Sequence, residues 1–573
     1  MKTLIIALNS KYIHSSLAAW YLKASCRTEC GMVNVAERTV NENIDAVLSS
    51  IYLQKPDVAA FSCYIWNIEY VMKLAPSLKK LLPGLIIVLG GPEGSYDAAE
   101  ILKEHGWVDY VLAGEGEKTF PLLLKYLDGR GSTPGEIPFA EGFAFRTRGG
   151  IRSGRPSVIE KLDDIPSPYT EEMLKSLKNK IAYFETSRGC PFCCSYCLSS
   201  ASAGVRYFSM ERVFADLDKL VLSGVKQIKF VDRTFNFNRK RAREIIDHIL
   251  IKYGDSGCNF HFEVGADLFD DELIRGLGDA PKGLFQLEAG MQSANPEVLA
   301  SVCRKTNLAK LLSNLNKLRA KENIHIHADL IAGLPKEDYA SFGKSFDILY
   351  NARPHQIQLG FLKFLKGTVL RSIAEKEGFK YSSFAPYEIL LGKWMRYDEL
   401  IVLKGIAELV ERYYNSGRFS FSLDHIIHEH FRSPFHFFES FYRFHRDNAL
   451  MEMNAGIKEL FIILDDFAAG FMKGDERRTF RETLKLDFLA SDCSGRPPEF
   501  LAGNVSRGFY DLCFDFLREK DNILKYLPEA AGMTAKQIFK KVHFERFDTA
   551  VILFDYRTKD KVTGRYPFYK VDL

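Results

Sequence analysis

Three cysteines, Cys190, Cys194 and Cys197, stand in Cys190-Pro191-Phe192-Cys193-Cys194-Ser195-Tyr196-Cys197, with three and then two residues between them. An apolar run at 181–186 precedes them and reads as a β-strand, followed by a tight Ser187-Arg188-Gly189 turn. Three soft thiolates on one loop at a strand end can hold three corners of an iron–sulfur cube. The fourth iron is then left without a protein ligand, open to a substrate or cofactor. A structural zinc would call for a fourth Cys or His close by. The next cysteine is Cys258, and no C-x-x-C partner pair exists. Cys193 is an extra thiol inside the frame, which needs only the other three. The feature constrains fold as well as chemistry, because such a loop must be presented by the end of a strand.

The frame resembles the cluster motif of the radical S-adenosylmethionine (SAM) enzymes. The resemblance implies a 4Fe-4S cluster on Cys190, Cys194 and Cys197, with SAM bound through the open iron. The cysteines outside the motif are scattered, with no secreted-protein framework. That suits a reducing compartment, and a cytoplasmic protein is expected. The N-terminal run at 1–8 is too short for a signal segment and reads as a first buried strand. No run of 18 apolar residues exists, so no membrane span is expected. A formal net charge of +4 permits a nucleic-acid partner without arguing for one.

Residues 1–130 alternate strand-like runs (3–8, 32–37, 57–62, 85–89, 108–112) with amphipathic stretches (14–27, 44–53, 68–82, 97–105, 119–127). This predicts an α/β domain with a doubly wound parallel sheet. Ligands of such sheets sit beyond the carboxyl ends of the strands. Those ends carry Asn9, His14, Ser15 and Ser16 after strand one, and Tyr64, Trp66 and Asn67 after strand three. Gly90-Gly91-Pro92-Glu93 follows strand four, and Gly114-Glu115-Gly116-Glu117 follows strand five. A dinucleotide fold would need G-x-G-x-x-G after strand one, and it is absent. The Gly-Gly-Pro-Glu and Gly-Glu-Gly-Glu loops, ahead of the cluster motif, resemble the cobalamin-binding domain of the cobalamin-dependent radical SAM family. Glycine there is expected to let backbone approach a flat macrocycle. The D-x-H-x-x-G of histidine-ligated cobalamin domains is missing. The resemblance therefore implies base-off cobalamin with no protein histidine ligand, its lower face left to residues such as Tyr64, Trp66 or Asn67.

Residues 131–177 gather Gly and Pro, including Gly131, Pro134, Gly135 and Pro138, and read as a linker with a small hairpin turning at Gly149-Gly150. From 178 to 370 the alternation returns, with strands expected at 227–232, 259–265, 284–290, 325–331 and 356–361. With the run at 181–186 they predict six βα units, a partial (β/α)6 barrel whose chemistry lies at its strand ends. By resemblance, the SAM-binding residues are Tyr196, Asp232, Glu263, Glu288, Gln292, Ser293 and Gly333. Asp232 would meet the methionyl ammonium, the Glu288–Ser293 segment the ribose, and Gly333 and Tyr196 the adenine. Asp232 departs from the family's commoner Gly-Gly-Glu. His325 and His327 share a face of one strand, as do His261 and Glu263. No residue beyond these cofactor contacts is named as catalytic.

Residues 371–573 are dominated by amphipathic patterns at 385–414, 435–448, 454–473, 499–515 and 535–544, with a strand pair at 550–556 and 565–571. A mainly helical domain is expected. The aromatic run at 435–445 suits a buried helix better than a base-stacking surface. The whole layout resembles a subgroup of cobalamin-binding radical SAM proteins with its own helical tail. It implies reductive cleavage of SAM to a 5′-deoxyadenosyl radical, hydrogen abstraction, and methylation of an unactivated carbon of an unidentified substrate. Three other readings are a rearrangement or cyclisation without methyl transfer, modification of tRNA or rRNA, and a non-catalytic cluster and cobalamin sensor. A monomer is expected, served by a reducing partner such as flavodoxin or ferredoxin and acting on a small molecule or RNA.

Overall fold

The computed structural model describes residues 1–129, 141–201, 204–494, 496–502 and 507–573. The Gly131–Pro138 part of the expected linker lies outside these. The N-terminal sheet contains β1 (Lys2–Asn9), β2 (Met32–Thr39), β3 (Val58–Ser62), β4 (Ile86–Gly90), β5 (Tyr110–Leu112), β6 (Phe143–Thr147) and β7 (Gly150–Ser153). Its order is β2-β1-β3-β4-β5-β6-β7. The first five strands run parallel, as the crossover helices between them require. The hairpin expected inside a linker is instead part of this sheet. β6 pairs antiparallel with β5, matching Leu112 to Phe143 and Tyr110 to Phe145. Its buried Phe143, Ala144 and Phe145 cover what would otherwise be an open parallel edge. The first folded body therefore runs past residue 130, to Ser157, whose N–H donates to the Ala113 carbonyl.

The second sheet is the partial barrel. β8 (Ala182–Phe184) leads into the cluster loop, which is clasped by a ribbon of β9 (Ser187–Gly189) against β10 (Val205–Tyr207). Then come β11 (Gln227–Phe230), β12 (Asn259–Val264), β13 (Phe285–Gln292), β14 (His325–Ala332) and β15 (Gln356–Phe361). The order β15-β14-β13-β12-β11-β8 is parallel throughout. All six expected strands form.

The two faces of this sheet differ. Ile228, Phe230, Phe260, Phe262, Leu287, Ile326, Ala328 and Leu330 share a dry core with helix residues such as Leu217 and Ile245. Alternation turns their neighbours to the concave side. There Lys229, Glu288, His327 and Asp329 keep side-chain exposures of 24, 21, 15 and 21%. Packed (β/α)8 barrels fill this space with branched apolar side chains; this lumen is polar and open.

The C-terminal part is helical, with several corrections, among them the helix Ser420–His430, which no expected stretch covered. The helix expected at 385–414 starts only at Tyr397 and runs to Leu409, continuing as one wide turn over Val410–Asn415. Pro386 restrains the residue before it from helical geometry. The segment around it pairs as β16 (Lys380–Tyr381) with β17 (Ile389–Leu391). The helix expected at 535–544 ends at Phe539, and β18 (Val542–Arg546) follows, paired with β19 (Val551–Asp555) and so with β20 (Phe568–Val571). The 18-residue helix Gly474–Ser491 was not anticipated. Its buried face includes Lys485 and Asp487, which break the apolar period. The aromatic helix Pro434–Asp447 buries Phe435, Phe437, Phe438, Phe441 and Tyr442 in the domain core, so these rings are not available to stack bases. Among the described residues no helix is long and apolar enough to cross a membrane.

Candidate active site

The cluster loop lies at the carboxyl end of β8. The Cys197 N–H donates to the Cys194 carbonyl at 3.1 Å, curling the loop, and Ser195 N donates to the Val302 carbonyl at 3.0 Å, tying it to the segment after β13. Cys194 is buried, and Cys190 and Cys197 are half-buried. Cys193 is exposed, its Sγ 3.9 Å from the Cys303 carbonyl. Burial pushes the Cys194 thiol above its ordinary value, opposed by the Arg304 guanidinium 4.0 Å from its sulfur. Buried thiols held high without metal are released as thiolates once a cation binds, so the donor set fits an iron–sulfur cluster.

Arg304 Nε beside this loop, Gln292 Oε1 and Asp329 Oδ1 around Gly290, and Ser195 Oγ in the loop itself are buried without a hydrogen-bond partner. Gln292 sits at φ +69° where β13 breaks register with β14. Arg304 otherwise donates to the Gly290 carbonyl at 2.5 Å. His327 Nε2 lies 3.3 Å from Asp329 Oδ1 but out of hydrogen-bond alignment. Burial, then Glu288 and Glu263, push the Asp329 carboxyl up to about 8. Unpaired buried polar groups cost free energy and call for an explanation. An amino-acid ligand with ammonium, carboxylate and hydroxyls supplies the missing donors and acceptors. The site therefore fits SAM. Arg304 and Asp329 are absent from the expected SAM set. Asp329 was legible as a carboxylate at a strand end, whereas Arg304 lies beyond a helix and carries no local signal.

Several expected SAM residues are placed otherwise. Asp232 is 2% exposed and accepts from Thr186 N (2.9 Å), Thr186 Oγ1 (2.6 Å) and Ser187 Oγ (2.5 Å). It pins the exit of β8 rather than opening toward an ammonium. Ser293 is fully buried and donates to Glu337 Oε1 at 2.6 Å. Gly333 has φ +87°, and a Cβ there would meet Ile389 at 2.8 Å, so it serves packing. Glu288 neighbours Glu263 in register but turns to Lys229 Nζ at 2.9 Å, where like charge does not oppose it. Glu263, mostly buried with its pKa raised chiefly by that burial, faces the lumen near Arg233. Tyr196 is partly buried beside Cys194 and Arg304, and burial raises its pKa.

The strand-end loops of the first domain face the barrel domain. Ile181 N donates to the Ile13 carbonyl at 2.7 Å, and Ser15 Oγ donates to the Ile181 carbonyl at 2.9 Å. His14 Nδ1 lies 2.7 Å from the Tyr183 hydroxyl, and burial with nearby Lys11 and Lys229 lowers its pKa, keeping it neutral. Asn9 Nδ2 holds the His14 carbonyl, and Ser16 N donates to Glu37. Glu93 is buried and accepts from the Tyr387 hydroxyl at 2.7 Å. Glu115 pairs with Arg206 at 2.6 Å, and Arg188 bridges Glu117 (2.5 Å) and Glu185 (2.7 Å). Asn67 is 1% exposed and donates to the Leu8 and Ser62 carbonyls. These polar side chains are committed to the protein itself.

The glycine expectation is corrected in the same way. At Gly91 (φ +84°) a Cβ would meet the Cys63 carbonyl at 2.6 Å, and at Gly114 (φ +85°) it would meet Ser157 N at 2.6 Å. These glycines let the protein's own segments meet. Gly90 accepts from Cys63 N, Pro92 opens a short helix, and Gly116 opens the helix Gly116–Leu127. A flat surface remains. Tyr64 and Trp66 stack with centroids 4.4 Å apart and planes within 5°. Trp66 is 48% exposed, and its Nε1–H donates to the Leu8 carbonyl at the end of β1. Tyr12 and Ile13, on the loop after β1, are also exposed. A flat aromatic and apolar face at the strand ends fits a macrocycle.

Family models match along the chain: the B12 binding domain over residues 3–124, the radical SAM superfamily over 184–349, and a domain of unknown function, DUF4080, over 375–565. The chain carries a B12-binding domain, a radical SAM domain and a DUF4080 domain, in that order. The cobalamin-dependent radical SAM methyltransferase TokK of Streptomyces tokunonensis is 30% identical over 323 residues, covering 53% of this chain and 46% of TokK. The 2-(S-pantetheinyl)-carbapenam-3-carboxylate methyltransferase of Streptantibioticus cattleyicolor is 28% identical over 324 residues, covering 52% and 46%. The chain thus spans about half the length of these curated relatives. Among solved structures, the cobalamin-dependent SAM radical enzyme OxsB with aqua-cobalamin bound superposes with a TM-score of 0.58 over 85% of this chain and 84% of OxsB, at 14% identity. The radical SAM methyltransferase TsrM of Kitasatospora setae, with cobalamin and a [4Fe-4S] cluster bound, gives 0.53 over 68% and 79%, at 15% identity. The fold is that of the cobalamin-binding radical SAM proteins.

Proposed function

We propose that this protein is a cobalamin-dependent radical SAM methyltransferase acting on an unactivated carbon. The carrying observation is that Gln292 Oε1, Arg304 Nε and Asp329 Oδ1, buried and unpaired, gather around Gly290, with Arg304 reaching Cys194, in a chain whose first domain presents Trp66 at its strand ends. Cys190, Cys194 and Cys197 would hold the cluster. Gln292, Arg304, Asp329 and Glu263 would orient SAM, Tyr196 packing beside it. Trp66 would cover one face of cobalamin, with His14 neutral and engaged by Tyr183. Bound there, cluster and SAM supply a 5′-deoxyadenosyl radical and cobalamin supplies methyl transfer; orientation and exclusion of water fall to the protein. A cytoplasmic setting, a flavodoxin- or ferredoxin-like reductant and a monomeric state belong to the same reading.

The test is anaerobic reconstitution with iron, sulfide and cobalamin, followed by an optical spectrum and a SAM-cleavage assay. Base-off cobalamin together with 5′-deoxyadenosine supports the proposal. Cleavage without cobalamin retention removes the methyl-transfer step, and full cluster loading without cleavage points to a sensor.

A further inference from the structure

The lumen's polar lining is larger than SAM orientation uses. Tyr183 of β8, Lys229 of β11, His261 of β12, Glu288 of β13 and His327 of β14 come from five successive strands of the sheet. Tyr183 is matched to Lys229, Lys229 to His261, and Glu288 to His327 in direct register. Lys229 Nζ is 2.9 Å from Glu288 Oε2, and His261 Nε2 lies 3.2 Å from the same oxygen without hydrogen-bond alignment. His261 is 6% exposed, with Nε2 unpartnered and turned toward this group. Burying an ion pair and two imidazoles is costly unless something else satisfies them. A dry layer of branched side chains would close this lumen at lower cost.

The charge balance of the group narrows what it can bind. The interactions with His261 and Lys229 hold the Glu288 carboxyl down to about 2 despite burial, and Glu288 in turn holds Lys229 cationic against its burial. Burial, opposed by Glu288, keeps His327 below its ordinary value and therefore neutral. The centre of the group is thus one ammonium facing one carboxylate, a pair whose charges offset each other, with the neutral His327 ring beside it. A ligand with net charge would leave one ring charge uncompensated in a poorly solvated space. One carrying a donor and an acceptor side by side can open the Lys229–Glu288 pair and replace both halves. Glu288, His327 and Asp329 also bring donor atoms within 4.8 Å of one another. Lys229 already occupies the cation's electrostatic place there, so the group favours hydrogen bonding over a metal ion.

We propose that Lys229, His261, Glu288 and His327 form the substrate-recognition floor of the barrel, reading a small polar group of no net charge with adjacent donor and acceptor, a carboxamide or an amino-acid zwitterion. The proposal rests on the radical SAM reading for the layer above it.

The test uses the anaerobically reconstituted protein with SAM present and four probes of matched size: propionamide, β-alanine, propionate and propylamine. Saturation-transfer NMR reads their weak binding at constant ionic strength. Propionamide or β-alanine should bind wild type, with propionate and propylamine at least about tenfold weaker, since each leaves one charge of the Lys229–Glu288 pair without a partner. Lys229→Met and Glu288→Gln should each weaken the preferred probe by a similar factor. Equal binding of propionate or propylamine, or no probe binding to wild type, overturns the proposal without reference to any variant. So does a stoichiometric metal that elemental analysis finds beyond the cluster iron and cobalt and that Glu288→Gln removes. SAM binding to wild type, read by equilibrium dialysis, separates the two layers: its failure removes the radical SAM reading, whereas its success with no preferred probe removes only the floor.

Discussion

The strand ends of the two sheets handle polar side chains in opposite ways. In the N-terminal sheet Asn9 and Asn67 are paired within the domain, and Glu93 and Glu115 across the domain boundary, to Tyr387 and Arg206. In the barrel Gln292, Arg304 and Asp329 keep buried atoms unpaired. On the proposed function, the first sheet would meet its ligand through shape and the face of Trp66, the second through directed hydrogen bonds. The difference follows the ligands: a corrin ring offers a broad flat face, SAM a set of discrete charged and polar groups.

The largest effect that would sharpen the contrast is on the cluster. Cys194→Ser should abolish the visible iron–sulfur absorption and all SAM cleavage, whereas Cys193→Ser should retain both, because that thiol is exposed and turned to the Cys303 carbonyl.

Next comes the domain boundary. Arg188→Ala leaves Glu117 and Glu185 buried against each other, and breaking a buried pair in this way costs about 3–5 kcal/mol. Denaturant unfolding should show the loss. It should shrink as pH falls, since protonating the stranded carboxylates removes their repulsion.

Asp329→Asn tests the unpaired barrel group. Its folded pKa, about 8, lies above the ordinary 3.8. The folded state therefore holds the proton more tightly, and this carboxyl lowers stability progressively as pH rises from about 4 to 8. The variant should equal wild type below pH about 4, gain relative stability up to pH about 8, and bind SAM more weakly throughout. Thermal melts across pH and equilibrium dialysis read the two effects. A variant destabilised at pH about 8 would break the contrast.

The smallest effect belongs to the flat face. Trp66→Ala should weaken cobalamin binding by about tenfold, a loss on the scale of one stacking contact. Trp66→Phe should recover most of it, since the ring face and not the indole N–H is what the ligand meets. Visible absorption during cobalamin titration checks both.

The chain's alternation of apolar runs and amphipathic stretches made both parallel sheets legible: the first sheet, covered on both faces, leaves near-continuous apolar segments, and the barrel strands alternate apolar and polar residues between helices. The cluster cysteines were legible for a different reason: all three ligands lie on one loop, so their spacing is local. Asp232, Ser293 and Glu93, expected as site residues, are paired within the protein. Each is a polar residue at a strand end, and position alone does not say whether such a side chain turns to a ligand or to Thr186, Glu337 or Tyr387. The helix Gly474–Ser491 escaped notice because buried Lys485 and Asp487 interrupt its apolar stripe, and β18 because a short strand adjoining a helix offers no turn signal.

By itself the sequence determined a doubly wound parallel sheet, a partial barrel of βα units, a three-thiolate loop at the end of a strand, and a C-terminal region rich in helices. These are consequences of local periodicity and local spacing. Only the tertiary structure decided that the β6–β7 hairpin closes the first sheet, that Arg304 reaches Cys194 from 110 residues away, and that Lys229, His261, Glu288 and His327 come together in the lumen. Each joins groups distant in the chain, and the free energy of pairing or leaving unpaired a buried polar atom depends on which neighbour the fold brings to it.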